Sequence, residues 1–224
     1  NKDICAILAT GYGKSICYQL PYLLTKKCVI VISPLISLME DQMNTLQSLK
    51  IPVCCLNSNN ENKYSQMNEI SRGKNKIIYI TPEYLLKCKE FICNIAKNDN
   101  MCCFAIDESH CISSWSDNSF RPEYRNLRQI IKRIGENIPI IALTATATPK
   151  VQEDILKNLG IPKAKTFKAS FNRPNLYYEV RPKTKNVDAD IIRFVKQNNG
   201  KSGIIYCLSR KKVEELAQTL QVNG

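Results

Sequence analysis

The chain has 224 residues, 44% of them hydrophobic and 23% charged, and a formal net charge of +12. That length suits one large domain, or one domain and part of another, and that composition supplies a core, which excludes wholesale disorder. The longest apolar stretches, such as Cys28–Ile32 and Met101–Ile106, fall far short of the ~20 residues a bilayer span needs, and no signal peptide is read at the start, so no membrane partner is expected.

Short runs rich in Ile, Val and Cys read as buried strands at Ile4–Ala9, Cys28–Ser33, Val53–Leu56, Ile77–Thr81, Met101–Asp107 and Ile138–Thr144. Segments of helical spacing lie between them. Leu35, Leu38, Met39, Met43, Leu46 and Leu49 recur at steps of three and four and predict an amphipathic helix. Pro149 opens another, carried by Val151, Ile155, Leu156 and Leu159, and Gly160 ends it. Strand–helix alternation of this kind predicts an α/β fold with a parallel sheet and helices on both faces. Around Phe171–Lys185 the rhythm breaks. A strand at Leu176–Val180, a helix near Asp188–Gln197, a strand at Gly203–Leu208 and a helix from Arg210 then suggest a second set. The expected division is 1–170 as one complete lobe and 171–224 as a linker and the opening of another, the chain being read as a piece of something longer.

Eleven cysteines and a single histidine, His110, with no C-x2-C pair, give no zinc-finger spacing. The cysteines are expected to be reduced, intracellular and mostly packing residues. Basic residues outnumber acidic ones by 32 to 20, which favours a polyanionic partner, nucleic acid or an acidic membrane face. Because the lysines are scattered singly across both parts, a general compositional bias would give the same excess.

Two motifs carry chemistry. Ala9-Thr10-Gly11-Tyr12-Gly13-Lys14-Ser15 follows a predicted strand and opens a predicted helix, the setting of a phosphate-binding loop. Gly11 and Gly13 let the backbone curl so that its N–H groups face phosphate oxygens. Lys14 is then a charge for the β- and γ-phosphates and Ser15 a hydroxyl ligand for Mg²⁺. Leu8 stands where the full pattern asks for glycine. The second motif, Asp107-Glu108-Ser109-His110, ends an apolar run, where ligands bind in open α/β sheets. Asp107 is placed to hold Mg²⁺ through water, and Glu108 to orient and deprotonate an attacking water. A third strand end, with Thr144 and Thr146, offers hydroxyls to the acidic motif.

With ATGYGKSICYQLP at Ala9–Pro21, SPLISLMEDQ at Ser33–Gln42, TPEYL at Thr81–Leu85, DESHCISSW at Asp107–Trp115, FRPEY at Phe120–Tyr124, LTATAT at Leu143–Thr148 and FNRPNLYYEV at Phe171–Val180, the chain resembles the superfamily-2 core of RecQ-type DNA helicases, most of all the Werner-type branch. The resemblance covers essentially the whole chain with its motifs in order. It implies two RecA-like lobes with ATP and Mg²⁺ between them, a single-stranded DNA track and 3′→5′ unwinding in repair, recombination or replication, in the nucleus. It implies that Ser33, Pro34, Thr81 and Pro82 lie on the DNA face. It implies that Trp115, Phe120 and Arg121 belong to an aromatic-rich loop that couples DNA binding to hydrolysis, with His110, Thr144 and Thr146 as further coupling residues. Trp115 and Arg121 would also touch DNA, and Tyr206 would flank the adenine.

The chain departs from the pattern in two places. Ser109 stands where alanine is usual, and the aromatic-rich loop lacks its usual Gly and His and is one residue longer. The resemblance also implies parts with no counterpart in these residues: the adenine-reading Gln segment, the arginine finger, and the zinc-binding and winged-helix domains. Zinc is therefore not expected here. Since an arginine finger is worth about 10³–10⁵ in rate, the isolated piece is expected to bind nucleotide weakly and to hydrolyse it slowly or not at all. Protein partners are unknown. Other readings are a superfamily-2 RNA helicase or duplex-DNA translocase, and a nucleic-acid-binding module with an impaired ATPase. The complete set Lys14, Ser15, Asp107 and Glu108 speaks against the last.

Overall fold

The structure, a computed structural model, describes residues 2–113, 122–170, 172–183 and 185–223. Packing divides it into two compact units, one ending at Arg173 and the other beginning at Pro174.

The first unit is built on seven strands: β1 (Ile4–Ile7), β2 (Cys28–Ile32), β3 (Val53–Leu56), β4 (Ile77–Ile80), β5 (Met101–Ile106), β6 (Ile140–Thr144) and β7 (Lys165–Lys168). Every pairing is parallel, in the order β3-β4-β2-β5-β6-β1-β7. Strands buried on both faces have no need of polar alternation, which is why β2, with sequence CVIVI, is buried at all five positions. Alternate residues still serve different cores. Cys5, Ile7, Ile30 and Ile32 face one, while Ala6, Val29 and Val31 face the other. Each fully buried Ile or Val contributes about 1.5–3 kcal/mol relative to exposure.

Two helices cover one face: α1 (Ile16–Thr25), through Tyr18 and Tyr22, and α2 (Ile36–Ser48), through Met39 and Leu46. Five cover the other: α3 (Lys63–Ser71), α4 (Pro82–Lys87), α5 (Lys89–Lys97), α6 (Leu127–Ile134) and α7 (Pro149–Leu159). Thr148 caps α7 by accepting from the Val151 N–H, and Gly160 closes it at φ 70°, a conformation open to glycine at little cost.

The sheet order positions the motifs. From β1 the chain crosses over β6 and β5 to reach β2 and β3, then returns through β4, β5 and β6 to β7, so the connections leaving the neighbouring strands β2 and β5 run in opposite directions. Ligands bind at such a divergence, beyond the carboxyl ends of the strands. The ladder continues one residue past the strands. Leu8 N–H donates to Thr144 O at 3.0 Å, Asp107 N–H to Ile32 O at 2.9 Å and Ser33 N–H to Ile80 O at 3.1 Å. The motif backbones therefore start from one rigid edge.

The second unit contains α8 (Val187–Gln197) and α9 (Arg210–Val222), joined by the Lys212–Asp188 ion pair at 2.9 Å. The strands expected at Leu176–Val180 and Gly203–Leu208 are absent, because a strand exists through its ladder and neither segment pairs with a neighbour among the described residues. Tyr206 is exposed. All eleven cysteines are free. Among the described residues no helix is long and apolar enough to cross a membrane.

Candidate nucleotide site

The phosphate-binding loop runs from the end of β1 into α1. Gly11 and Gly13 have φ of 84° and 81°, so both need the left-handed region that their sequence positions anticipate. Tyr12 N–H donates back to Ala9 O at 3.1 Å and Ile16 N–H to Gly13 O at 3.0 Å. The backbone N–H groups of Gly11, Gly13, Lys14 and Ser15 donate to no acceptor among the described residues. A run of such donors at a helix N-terminus is an anion nest. Lys14 is half-buried, its Nζ donating to Leu8 O at 3.3 Å. Ser15 precedes α1 and makes no side-chain cap bond.

The acidic motif leaves β5, two strands from β1 with only β6 between. At ~4.8 Å per strand the two motif backbones start about 10 Å apart, which is room for phosphate groups. Glu108 adopts φ 47°, ψ 44°, a left-handed conformation costing a non-glycine residue about 1–3 kcal/mol. Its N–H donates to Asp107 Oδ1 at 3.0 Å, and Tyr124 donates its hydroxyl to Asp107 O at 3.3 Å. Burial, and then the adjacent Glu108 carboxylate, push Asp107 up to about 6, against the pull of the Glu108 N–H, Lys14 and His110. A half-buried carboxylate with few compensating donors, within the electrostatic reach of Lys14 on the loop that also carries the Ser15 hydroxyl, is an oxygen donor set that fits Mg²⁺.

A chain of polar contacts joins this motif to the end of β6. His110 Nδ1 lies 3.2 Å from Glu108 Oε2 and 3.0 Å from Thr144 Oγ1. Thr144 is fully buried. It donates its hydroxyl to Thr146 O at 3.1 Å and accepts from Thr146 N–H at 3.2 Å, which leaves Oγ1 as acceptor for His110. Hydrogen bonding to His110 holds Glu108 below its ordinary value, so it is ionised at neutral pH. The Cys111 sulfur, 3.8 Å from Nε2, and the Glu108 carboxylate raise His110 to about 9.

A histidine raised in this way stabilises the fold fully below its unfolded value near 6.5 and loses that contribution as pH rises through about 9. At pH 6.5 the wild type should therefore be more stable than His110→Gln by about 1–3 kcal/mol, seen as a higher melting temperature. The gap should close above pH 9. A gap independent of pH, measured by thermal melts across that range, would mean that the imidazolium pair is not formed.

Ser109 fits sterically where alanine is usual, but its hydroxyl is fully buried and has no hydrogen-bond partner among the described residues. The acidic motif also reaches α7: Ser113 donates to Asp154 at 2.8 Å, so the segment after Glu108 is tied to a helix as well as to β6.

The residues expected on the DNA face lie where strands end, Ser33-Pro34 after β2 and Thr81-Pro82 between β4 and α4. Ser33, Pro34, Thr81 and Pro82 are buried. Thr81 Oγ1 accepts from the Tyr84 N–H and caps α4, and the Ser33 hydroxyl is enclosed without a partner among the described residues. Trp115, Phe120 and Arg121 lie outside the described residues.

The motifs also left residues without a role that the structure brings to the site. Tyr18 and Tyr79 meet beneath the loop helix, hydroxyl to hydroxyl at 3.1 Å with rings edge-on. Arg173 donates to Thr10 O at 2.7 Å. A basic residue in the last motif was the available signal for Arg173, but nothing in the sequence gives its target.

The DEAD/DEAH box helicase family matches residues 1–155. A protein of Acanthamoeba polyphaga mimivirus, provisionally named an ATP-dependent RNA helicase, is 46% identical over 223 residues, covering 100% of this chain and 40% of that protein. ATP-dependent DNA helicase RecQ of Haemophilus influenzae is 42% identical over 226 residues, covering 100% of this chain and 36% of the relative. The chain thus spans well under half the length of these relatives. Among solved structures, the helicase MrfA bound to DNA superposes with a TM-score of 0.71 at 17% identity, covering 100% of this chain and 32% of that one, a likeness of fold.

Proposed function

The chain belongs to the DEAD/DEAH box helicase family, and from that premise we propose that it is the nucleotide-binding part of an ATP-dependent DNA helicase of RecQ type. The observation that carries this reading is the pairing, across one strand, of an open nest of loop N–H groups with the Asp107–Glu108 carboxylates. Lys14 and the loop N–H groups hold the β- and γ-phosphates. Ser15 and Asp107 would hold Mg²⁺, which when bound neutralises charge building up on the phosphates. Glu108, ionised and fixed by His110, takes the proton of the attacking water. Thr144 and Thr146 join that base to the end of β6, a rigid route by which hydrolysis and DNA binding can be coupled.

Single-stranded DNA would run over the carboxyl ends of β2 and β4, touching backbone at Ser33–Pro34 and Thr81–Pro82, with Trp115 and Arg121 as further contacts. In this reading residues 171–224 begin a second RecA-like lobe, and the activity belongs to a longer protein, as the share of the relatives that this chain covers suggests. A Werner-type placement rests on the Ala9–Ser15 loop and the Leu38–Gln42 run. A nuclear site rests on the RecQ-type resemblance alone. The scattered positive charge adds a modest, salt-sensitive attraction to any phosphate backbone.

The name of the mimivirus relative favours a second reading, an RNA helicase. Strand separation by the intact protein tests both. Duplex DNA with a 3′ single-stranded tail should be unwound with ATP, and a 5′-tailed duplex or an RNA duplex should not. Preference for the RNA duplex would replace the DNA reading with the RNA one.

A further inference from the structure

We propose that Arg173 is a positioning residue for nucleotide binding, holding the phosphate-binding loop in the conformation that aims the Gly11 N–H at phosphate. The proposal rests on the reading of this loop as an ATP site.

Arg173 Nη1 donates to the carbonyl oxygen of Thr10 at 2.7 Å, across 163 residues of sequence. The guanidinium lies close over the loop: a Cβ built on Gly11 would stand 3.8 and 4.0 Å from its two terminal nitrogens. The peptide between Thr10 and Gly11 is planar and trans, as are all the peptides described. In such a unit the C=O and the following N–H point in opposite directions. Fixing the Thr10 oxygen toward Arg173 therefore fixes the Gly11 N–H away from it.

That N–H has no acceptor among the described residues, and neither do those of Gly13, Lys14 and Ser15 further along the loop. Gly11, at φ 84°, is the residue best able to rotate out of this arrangement, since glycine meets little steric resistance on either side. A hydrogen bond from a charged donor is stronger than a neutral one and suits the task of restraining it. Arg173 has no carboxylate partner among the described residues, so its charge is spent on a neutral carbonyl beside an anion site. Restraint of this kind acts by pre-organisation. It removes the cost of ordering the loop when nucleotide arrives, and so it acts on binding more than on the chemical step. Arg173 is also the last residue of the first compact unit, so the loop is tied to the point where that unit ends.

The test is a titration of the intact protein with a fluorescent, non-hydrolysable ATP analogue, together with steady-state ATP hydrolysis. Arg173→Ala should raise Kd, and KM in parallel, about tenfold, leave kcat within about threefold and leave the melting temperature unchanged. Arg173→Lys, which keeps one charged donor, should stay within about threefold of wild type in Kd. A fall in kcat with Kd unchanged would overturn the proposal, as would equal losses in the two variants accompanied by a lower melting temperature. Lys14→Ala is measured alongside. If it binds the analogue as tightly as wild type, the ATP-site reading itself fails, whereas a loss in Lys14→Ala with none in Arg173→Ala removes only the role given to Arg173.

Discussion

Glu108→Gln should lower ATP turnover by about 10²–10⁴-fold in the intact protein and leave nucleotide affinity within about threefold. The amide keeps the size of the side chain and cannot take a proton. Hydrogen bonding to His110 lowers Glu108 from its ordinary value, which keeps it ionised at neutral pH, and the left-handed backbone at this residue holds it apart from Asp107's role. The substitution also removes the charge facing His110, so His110→Gln is the necessary companion. It breaks the same pair but leaves the base, and its loss should be smaller. Single-turnover hydrolysis and analogue binding separate chemistry from affinity. Turnover of Glu108→Gln within tenfold of wild type would remove Glu108 as the base.

Lys14→Ala should weaken nucleotide binding about 10–100-fold, the value of one charged hydrogen bond at about 1.5–3 kcal/mol. Lys14 is half-buried and its ammonium rests on a single carbonyl, Leu8 O at 3.3 Å, a contact easily exchanged for a phosphate oxygen. The loop should survive the change, because Gly11, Gly13 and the helix N-terminus shape it independently of Lys14. A fluorescent-nucleotide titration measures the loss, and unchanged affinity would mean that phosphate binds elsewhere.

Six of the seven strands were legible because buried parallel strands are written as unbroken apolar runs. Their ends were overrun by one or two residues, at Ala9, Ser33, Thr81 and Asp107, where the backbone leaves the ladder to present a motif. β7 was missed, since Lys165-Thr-Phe-Lys168 is an exposed edge strand whose lysines guard it and whose partner β1 lies some 160 residues earlier. The strands expected in the second unit failed for the complementary reason: an apolar run states a wish to pair, and pairing needs a neighbour.

The site divides in the same way. Lys14, Ser15, Asp107 and Glu108 were legible because the loop and the strand end are local structures with local signatures. Thr81-Pro82-Glu83 is also a helix start, with the Thr81 hydroxyl at the cap and proline in the first turn, so the sequence carries a packing role for that hydroxyl beside the expected place on the DNA face. The contacts of Arg173 with Thr10 and of His110 with Thr144 join distant segments, and only the sheet order brings them together.

The central claim is that the loop at Lys14 and the carboxylates at Asp107–Glu108 form one ATP site driven by nucleic acid. Its most direct test is ATP hydrolysis by the intact protein, with and without single-stranded DNA, in wild type and Lys14→Ala. Hydrolysis stimulated by DNA in the wild type and lost in Lys14→Ala is the predicted result. Hydrolysis that persists in Lys14→Ala, or that ignores added DNA in the wild type, would contradict it.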